Sequence, residues 1–125
     1  IYIDIEKPDT GSIIDGYWIM DLDYTPDSTQ LNYRLSNFTD NTEIDHFKIA
    51  IGIGNDTTDV LDWTIFDSTD SIKITGLSLI RDTLYNTYIK AIDLAQNESA
   101  IQNTDGIYFD DSFPVVNKID PDFYA

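Results

Sequence analysis

Five aspartates are the residues whose type and spacing come nearest to a chemical site. Asp15, Asp21 and Asp23 fall within nine residues of one another, and Asp110 and Asp111 form an adjacent pair later in the chain. Carboxylate oxygens are the hard ligands that Ca²⁺ takes. The spacing differs from an EF-hand loop, which needs acids at alternate positions, a central glycine and a closing glutamate. The five aspartates are therefore candidate Ca²⁺ ligands without a recognisable loop motif.

The charge balance restricts the partners of the protein. The sequence has 23 Asp and Glu against 7 Lys and Arg, which gives a formal net charge of −16. That value exceeds the roughly 2–8 charges typical of a small soluble domain. Nucleic acid and anionic membrane are poor partners for such a surface. Two interpretations stay open, namely a surface charged for solubility and a surface that binds divalent cations.

Residues for nucleophilic or zinc catalysis are scarce. His46 is the single histidine, and the sequence has no cysteine, so a zinc site of His and Cys ligands is nearly excluded. No serine or cysteine nucleophile motif accompanies His46. Paired carboxylates could act in glycoside hydrolysis, but that chemistry needs a cleft that raises the pKa of one of them. The absence of cysteine leaves the cellular compartment open.

The elements that must position these residues alternate with a period of two. Leu31, Tyr33 and Leu35 share one face of a segment, and Phe47, Ile49 and Ile51 share one face of another. Similar short segments cover 60–66, where we expect Trp63 in the core, and 71–75 and 106–110, and a further strand contains Tyr85, Ile89 and Ala91. Short strands every 8–12 residues or so, without helical periodicity, predict a seven-stranded antiparallel β-sandwich. So small a sandwich offers little cleft, and we expect no enzymatic activity. No apolar run is long enough to span a bilayer, so we expect no membrane insertion.

The stretch from Thr75 to Asn97 has the layout of a strand end, a corner and a second strand. Leu79, Thr83 and Tyr85 have the spacing of a tyrosine corner. With 44–52, 59–64 and 91–99, this stretch resembles fibronectin type III-like repeats of bacterial surface and secreted proteins. The family usually has glycine where Gln96 stands. The resemblance implies a fibronectin type III/immunoglobulin-like sandwich with the Tyr85 ring in the core and its hydroxyl bonded to upstream backbone.

The resemblance also implies a role and a domain layout. It covers residues 7–112 and indicates a spacer or adhesion module of a secreted or cell-surface protein, whose partners are neighbouring repeats, a surface polysaccharide or another surface protein. Residues 1–8 match 107–114 at four of eight positions. We therefore interpret 1–6 as the end of a preceding repeat or a linker and 113–125 as a linker or the start of a following repeat. Acidic ends of adjacent repeats repel, so Ca²⁺ bridging at Asp110 and Asp111 and a flexible cation-free joint are alternative hypotheses.

A carbohydrate-binding module is the alternative function. In some sandwich domains exposed aromatic rings stack on sugars. The aromatic candidates in this sequence extend from Tyr17 to Tyr124, and Tyr24 is one of them. Tyr17, Trp18, Tyr88 and Tyr108 are the leading candidates. Either Tyr17 or Trp18 points outward if their segment is extended, because successive strand residues face opposite sides. A flat row of two or three exposed rings would favour this function.

Overall fold

The computed structural model describes residues 5–16, 23–40, 43–54 and 57–110. In these ranges apolar residues at alternate positions form the longer β-strands. No helix in these ranges is long and apolar enough to cross a membrane. The strands are β1 (Ser12–Asp15), β2 (Tyr24–Thr25), β3 (Leu31–Ser36), β4 (Ile44–Ile53), β5 (Leu61–Asp67), β6 (Ser71–Ile74), β7 (Leu84–Asp93), β8 (Gln102–Asn103) and β9 (Ile107–Phe109).

Two sheets divide these strands. The small sheet has the order β1-β3-β6, and the large sheet has the order β2-β9-β7-β4-β5, with β8 also paired to β7. In the large sheet β4 and β7 are antiparallel over most of their length, and Ile49 lies opposite Ile89. Both side chains are 0% exposed. The inner faces of the two sheets therefore enclose the core at the middle of these long strands.

The predicted fold class is confirmed, with two differences in detail. The described residues form nine strands, of which β2 and β8 contain two residues each. Segments this short show no alternation and leave no periodic signal in the sequence. The second difference is that β2 pairs with β9 in parallel, Tyr24 beside Tyr108, whereas every other strand pair is antiparallel.

The expectation that Trp63 packs in the core is wrong. Its strand β5 is the edge of the large sheet, and the Trp63 ring lies under the ammonium of Lys90, 4.6 Å from the ring centroid. Lys90 alternates with the buried Ile89 and Ala91, so it belongs to the outer face. Trp63 is half-buried there because a lysine side chain covers it, and alternation within an edge strand did not reveal which face it occupies.

The chain enters and leaves the sandwich at opposite ends. Asp9 forms a bridge with Thr39 in the loop between β3 and β4. Phe109 at the end of β9 forms a bridge with Arg81, next to the start of β7. Since the start of β4 pairs with the end of β7, the first of these loops and the start of β7 lie at opposite ends of the large sheet.

Candidate functional site

Two tyrosines lie side by side on the outer face of the large sheet. Ile107 and Phe109 point into the core, so Tyr108 between them points outward. The Tyr24 ring stacks with the Tyr108 ring at 5.8 Å between centroids and 27° between planes. Tyr24 is 60% exposed and Tyr108 is 36% exposed. In the described ranges Tyr24 and Tyr108 are the two exposed aromatic residues.

Backbone hydrogen bonds fix the strands that carry these rings. The Tyr108 N–H donates to the Asp23 carbonyl at 2.9 Å, and the Asp110 N–H donates to the Thr25 carbonyl at 3.0 Å. The loop after β2 is held in turn by the Asp27 carboxylate, which accepts hydrogen bonds from the Thr29 hydroxyl at 2.6 Å and the Thr29 N–H at 2.8 Å. These two hydrogen bonds lower the pKa of the Asp27 carboxyl, and the bond from the Thr29 hydroxyl has the larger effect. The two rings are therefore carried on backbone that is fixed at both ends of β2.

A surface depression of about 290 Å³ adjoins the tyrosine pair. It is lined by Tyr24, Asp82, Tyr108, Phe109 and Asp110. Asp82 has a positive φ of 61° in the turn that precedes β7. Its neighbour Arg81 forms the bridge to Phe109, so this turn lies alongside the end of β9. The depression thus combines two exposed rings with two exposed carboxylates.

The other half of this outer face carries an ion-pair cluster. The Glu98 carboxylate contacts the Lys90 ammonium at 3.0 Å and the Lys48 ammonium at 3.4 Å. The hydrogen bond from Lys90 is the main cause of a lowered pKa of the Glu98 carboxyl, and Lys48 adds to it. Two of the seven cations of the chain are occupied in this cluster. The carboxylates beside Tyr24 and Tyr108 lie on a separate part of the same face.

The corner that the sequence predicted before β7 is formed around Tyr85. The Tyr85 ring is buried in the core cluster with Leu79. Its hydroxyl accepts a hydrogen bond of 2.7 Å from the Ile80 N–H, five residues upstream. The Thr83 hydroxyl donates to the Arg81 carbonyl at 3.3 Å. These contacts fix the turn that carries Asp82, and the bridge between Arg81 and Phe109 places this turn beside the end of β9.

A second buried tyrosine joins the two sheets. Tyr33 on β3 and Thr87 on β7 share a hydrogen bond between their hydroxyls. Burial raises the pKa of the Tyr33 phenol, the bond to Thr87 opposes this, and the nearby Asp15 carboxylate raises the pKa further. Tyr33 therefore stays protonated at physiological pH and acts as a fixed hydrogen-bonded part of the core.

The five candidate Ca²⁺ ligands are distributed over different places. Asp15 is fully buried at the end of β1 in the small sheet. Asp23 precedes β2 and Asp110 follows β9, so they lie at opposite ends of a parallel pair. Asp21 and Asp111 lie outside the described residues. Within the described residues no group of three or more His, Cys, Asp or Glu is arranged to hold a metal, and the Ca²⁺ site stays a prediction.

The carbohydrate candidates divide in a similar way. Tyr108 belongs to the exposed pair, and Tyr88 is half-buried on the same outer face where β8 pairs with β7. Tyr17 and Trp18 lie outside the described residues. Sequence reasoning gave Tyr24 only as one aromatic among many and did not give Asp82 any role. Neither has a signal in the sequence, because the short parallel pairing of β2 with β9 brings Tyr24 to Tyr108, and the bridge between Arg81 and Phe109 brings the turn of Asp82 there.

Comparisons with known proteins add a structural likeness. No family model matches the sequence, and no curated protein matches it. Among solved structures, titin module A71 from human cardiac muscle, determined by NMR, is similar at 12% identity and a TM-score of 0.49 over 84% of this chain and 92% of that chain. The chain has two facing sheets, and the Tyr85 hydroxyl contacts upstream backbone as in the tyrosine corner of immunoglobulin-like sandwiches. These two features of the described residues make the fold fibronectin type III/immunoglobulin-like.

Proposed function

We propose that this fibronectin type III/immunoglobulin-like sandwich is a non-catalytic spacer and adhesion module in a tandem array of a secreted or cell-surface protein. The observation that carries the proposal is the placement of Asp9 and Asp110 at opposite ends of the sandwich. A domain with this placement adds its full length to an array instead of folding back on its neighbour. Its partners are the neighbouring repeats and, at the adhesive surface, a polysaccharide or another surface protein.

The strand lengths give the size of the spacer. Strands β4 and β7 have ten residues each, and a strand rises about 3.3 Å per residue. The long axis of the sandwich is therefore about 33 Å. Each module of this kind lengthens an array by roughly that amount.

The strand directions also suit a domain that bears tension. Tension on Asp9 and Asp110 draws β1 along β3 and β9 along β2, parallel to the strands. Hydrogen bonds of the antiparallel pair β1–β3 lie nearly perpendicular to this direction, and those of the parallel pair β2–β9 are slanted to it. In both pairs the force acts along the strands, so the bonds of each pair are loaded together. These bonds include those from the Tyr108 and Asp110 N–H groups to β2 and its preceding residue. A pair loaded in this way resists more force than a pair opened one bond at a time.

Stretching the full 125-residue chain by its two ends in optical tweezers tests the proposal. Unfolding releases the 100 residues between Asp9 and Asp110, which span about 360 Å when extended. Subtracting the folded length of about 33 Å gives an expected single step of about 330 Å. Gradual extension at low force, without a discrete step, would contradict the proposal.

A matched control changes only the direction of the load. Handles on an Asp9→Cys/Thr39→Cys variant pull apart two residues that are bridged at the same end, and the chain has no other cysteine. This geometry opens the bonds of β1 successively, so unfolding should begin at a lower force. Equal unfolding forces in the two pulling geometries would contradict the claim that the strand directions make the domain resistant to tension.

Ca²⁺ stiffening remains a separate part of the proposal. Its first requirement is that Ca²⁺ binds to the folded protein. Thermal unfolding in excess EDTA and then in millimolar Ca²⁺, at fixed ionic strength with Mg²⁺ as control, tests this binding. A native-state ligand at ten times its Kd stabilises by about 1.4 kcal/mol, so a Ca²⁺-specific rise in Tm supports bound Ca²⁺. An equal rise with Mg²⁺, or none, removes Ca²⁺ from the account and leaves the spacer role to the stretching experiment.

A further inference from the structure

The arrangement of Tyr24 and Tyr108 differs from that of ordinary surface tyrosines. A single exposed tyrosine is common on a protein surface, but here two rings inclined by 27° to each other are stacked. Their centroid distance of 5.8 Å exceeds the roughly 3.5–4.0 Å of direct face-to-face carbon contact. The two rings are therefore not in full face-to-face contact, and the high exposure of Tyr24 leaves much of its ring surface open to solvent.

The surroundings of the rings limit the chemistry of a ligand. An aromatic face is electronegative and attracts the weakly positive C–H groups of a sugar ring. Asp82 and Asp110 line the same depression, and an ionised carboxylate accepts hydrogen bonds from donors such as sugar hydroxyls. The same carboxylates and the net charge of −16 repel anionic chains. The volume of about 290 Å³ is that of roughly ten water molecules and has room for one sugar ring.

From this geometry we infer that Tyr24, Tyr108, Asp82 and Asp110 form a binding site for an uncharged polysaccharide. The two rings stack on the apolar faces of sugar units in the chain, and the two carboxylates accept hydrogen bonds from their hydroxyls. The site is rigid before the ligand arrives, because hydrogen bonds hold β2 to β9 and the Tyr85 corner holds the turn of Asp82. Preformed sites lose little conformational entropy on binding. This inference rests on the adhesive part of the proposed function, to which it gives a site and a ligand class, and it is independent of the spacer part, which the stretching experiment tests separately.

Affinity gel electrophoresis of the full chain provides the test. The native gels contain hydroxyethylcellulose, xylan or no polymer, and a gel with alginate, an anionic polysaccharide, is the charge control. The unchanged chain should be retarded by at least one uncharged polymer and not by alginate. Absence of retardation by both uncharged polymers would overturn the inference, and so would equal retardation by alginate.

Four variants assign the binding to the tyrosine pair. Tyr24→Ala and Tyr108→Ala should each weaken retardation by about tenfold in Kd, equivalent to about 1.4 kcal/mol. Tyr108→Phe keeps the ring and should bind nearly as well as the unchanged chain. Ile65→Ala removes an exposed apolar side chain on edge strand β5 of the same sheet, and it should bind normally. Thermal unfolding of each variant confirms that it is folded.

The variants also define what would contradict the assignment. If the Tyr24→Ala/Tyr108→Ala double variant is folded and still retarded like the unchanged chain, the polysaccharide binds elsewhere. If Ile65→Ala loses binding to the same extent, general apolar adhesion of the sheet explains the retardation. Loss of binding in Tyr108→Phe would show that the hydroxyl, and not the ring, carries the contact.

Discussion

The two faces of the large sheet use the same strands for different purposes. On the inner face Ile49 and Ile89 meet the small sheet and are completely buried. On the outer face Tyr24, Tyr108 and Trp63 remain partly or largely in contact with solvent. Residues that alternate along one strand thus divide between holding the fold together and presenting a surface. Stability and binding should therefore respond to separate substitutions in this protein.

The largest expected effect comes from the inner face. Replacing Ile89 by Ala deletes buried methyl and methylene groups at the centre of the core, and such deletions cost about 2–5 kcal/mol. Denaturant unfolding followed by tryptophan fluorescence measures the change in the free energy of unfolding. Ile65→Ala on the exposed part of β5 is the matched control, and it should change stability by less than about 0.5 kcal/mol. Similar losses in the two variants would show that the faces are not divided as described.

A second prediction concerns the Tyr85 corner. Tyr85→Phe keeps the buried ring but leaves the Ile80 N–H without the hydroxyl that accepts its hydrogen bond. Leaving a donor unsatisfied costs about 1–3 kcal/mol. Urea unfolding measures this loss, with Tyr108→Phe as the control because Tyr108 lies on the outer face. A change within experimental error in Tyr85→Phe would mean that the hydroxyl contact contributes nothing to stability.

The turn after β7 offers a gain in stability. Gln96 has a φ of 72°, and the Asp93 carboxylate holds the turn by accepting the N–H groups of Ala95 and Asn97, each at 2.9 Å. A side chain is strained in this region of φ, whereas glycine is not. Gln96→Gly should stabilise the protein by about 0.5–1 kcal/mol after the added freedom of the unfolded chain is included. Gln96→Ala retains a Cβ and should give no such gain in thermal unfolding.

The smallest prediction concerns the ion pairs of the outer face and their pH dependence. The pKa of Glu98 is lowered below its ordinary value of 4.5 in the folded protein. Its contribution to stability is therefore present above pH 4.5 and is lost as the pH falls through the lower folded value. Because Glu98 is exposed, Glu98→Gln should cost less than about 1 kcal/mol at pH 7. The difference from the unchanged chain should become smaller as the pH falls below 4.5, and a constant difference across this range would contradict the assignment.

The inner face could be predicted from the sequence, and much of the outer face could not. Leu31, Tyr33 and Leu35 alternate over a full strand, and burial of one face follows directly from that pattern. Trp63 was misplaced because its environment depends on Lys90 from a neighbouring strand. Alternation with a period of two indicates which residues share a face of a strand. It does not indicate which other residues cover that face.

The candidate site depends on contacts between distant segments. Tyr108 was a carbohydrate candidate from its type alone, and Asp110 was a candidate for Ca²⁺ instead. Their association with Tyr24 depends on a parallel pair of two residues, and Asp82 is added by a turn with positive φ. Neither feature has a periodic pattern, so only the three-dimensional arrangement brings the four residues together.

NMR mapping of a bound oligosaccharide tests most directly the claim that the outer face of the large sheet is the binding surface. Amide shifts of the ¹⁵N-labelled full chain would be recorded during titration with cellohexaose and with xylohexaose. With at least one of the two sugars, we predict that the largest changes in amide shift occur at Tyr24, Asp82, Tyr108 and Asp110. The amide shifts of Ile49 and Ile89 should stay unchanged. The largest changes on the small sheet, or no change with either sugar at millimolar concentration, would contradict the account.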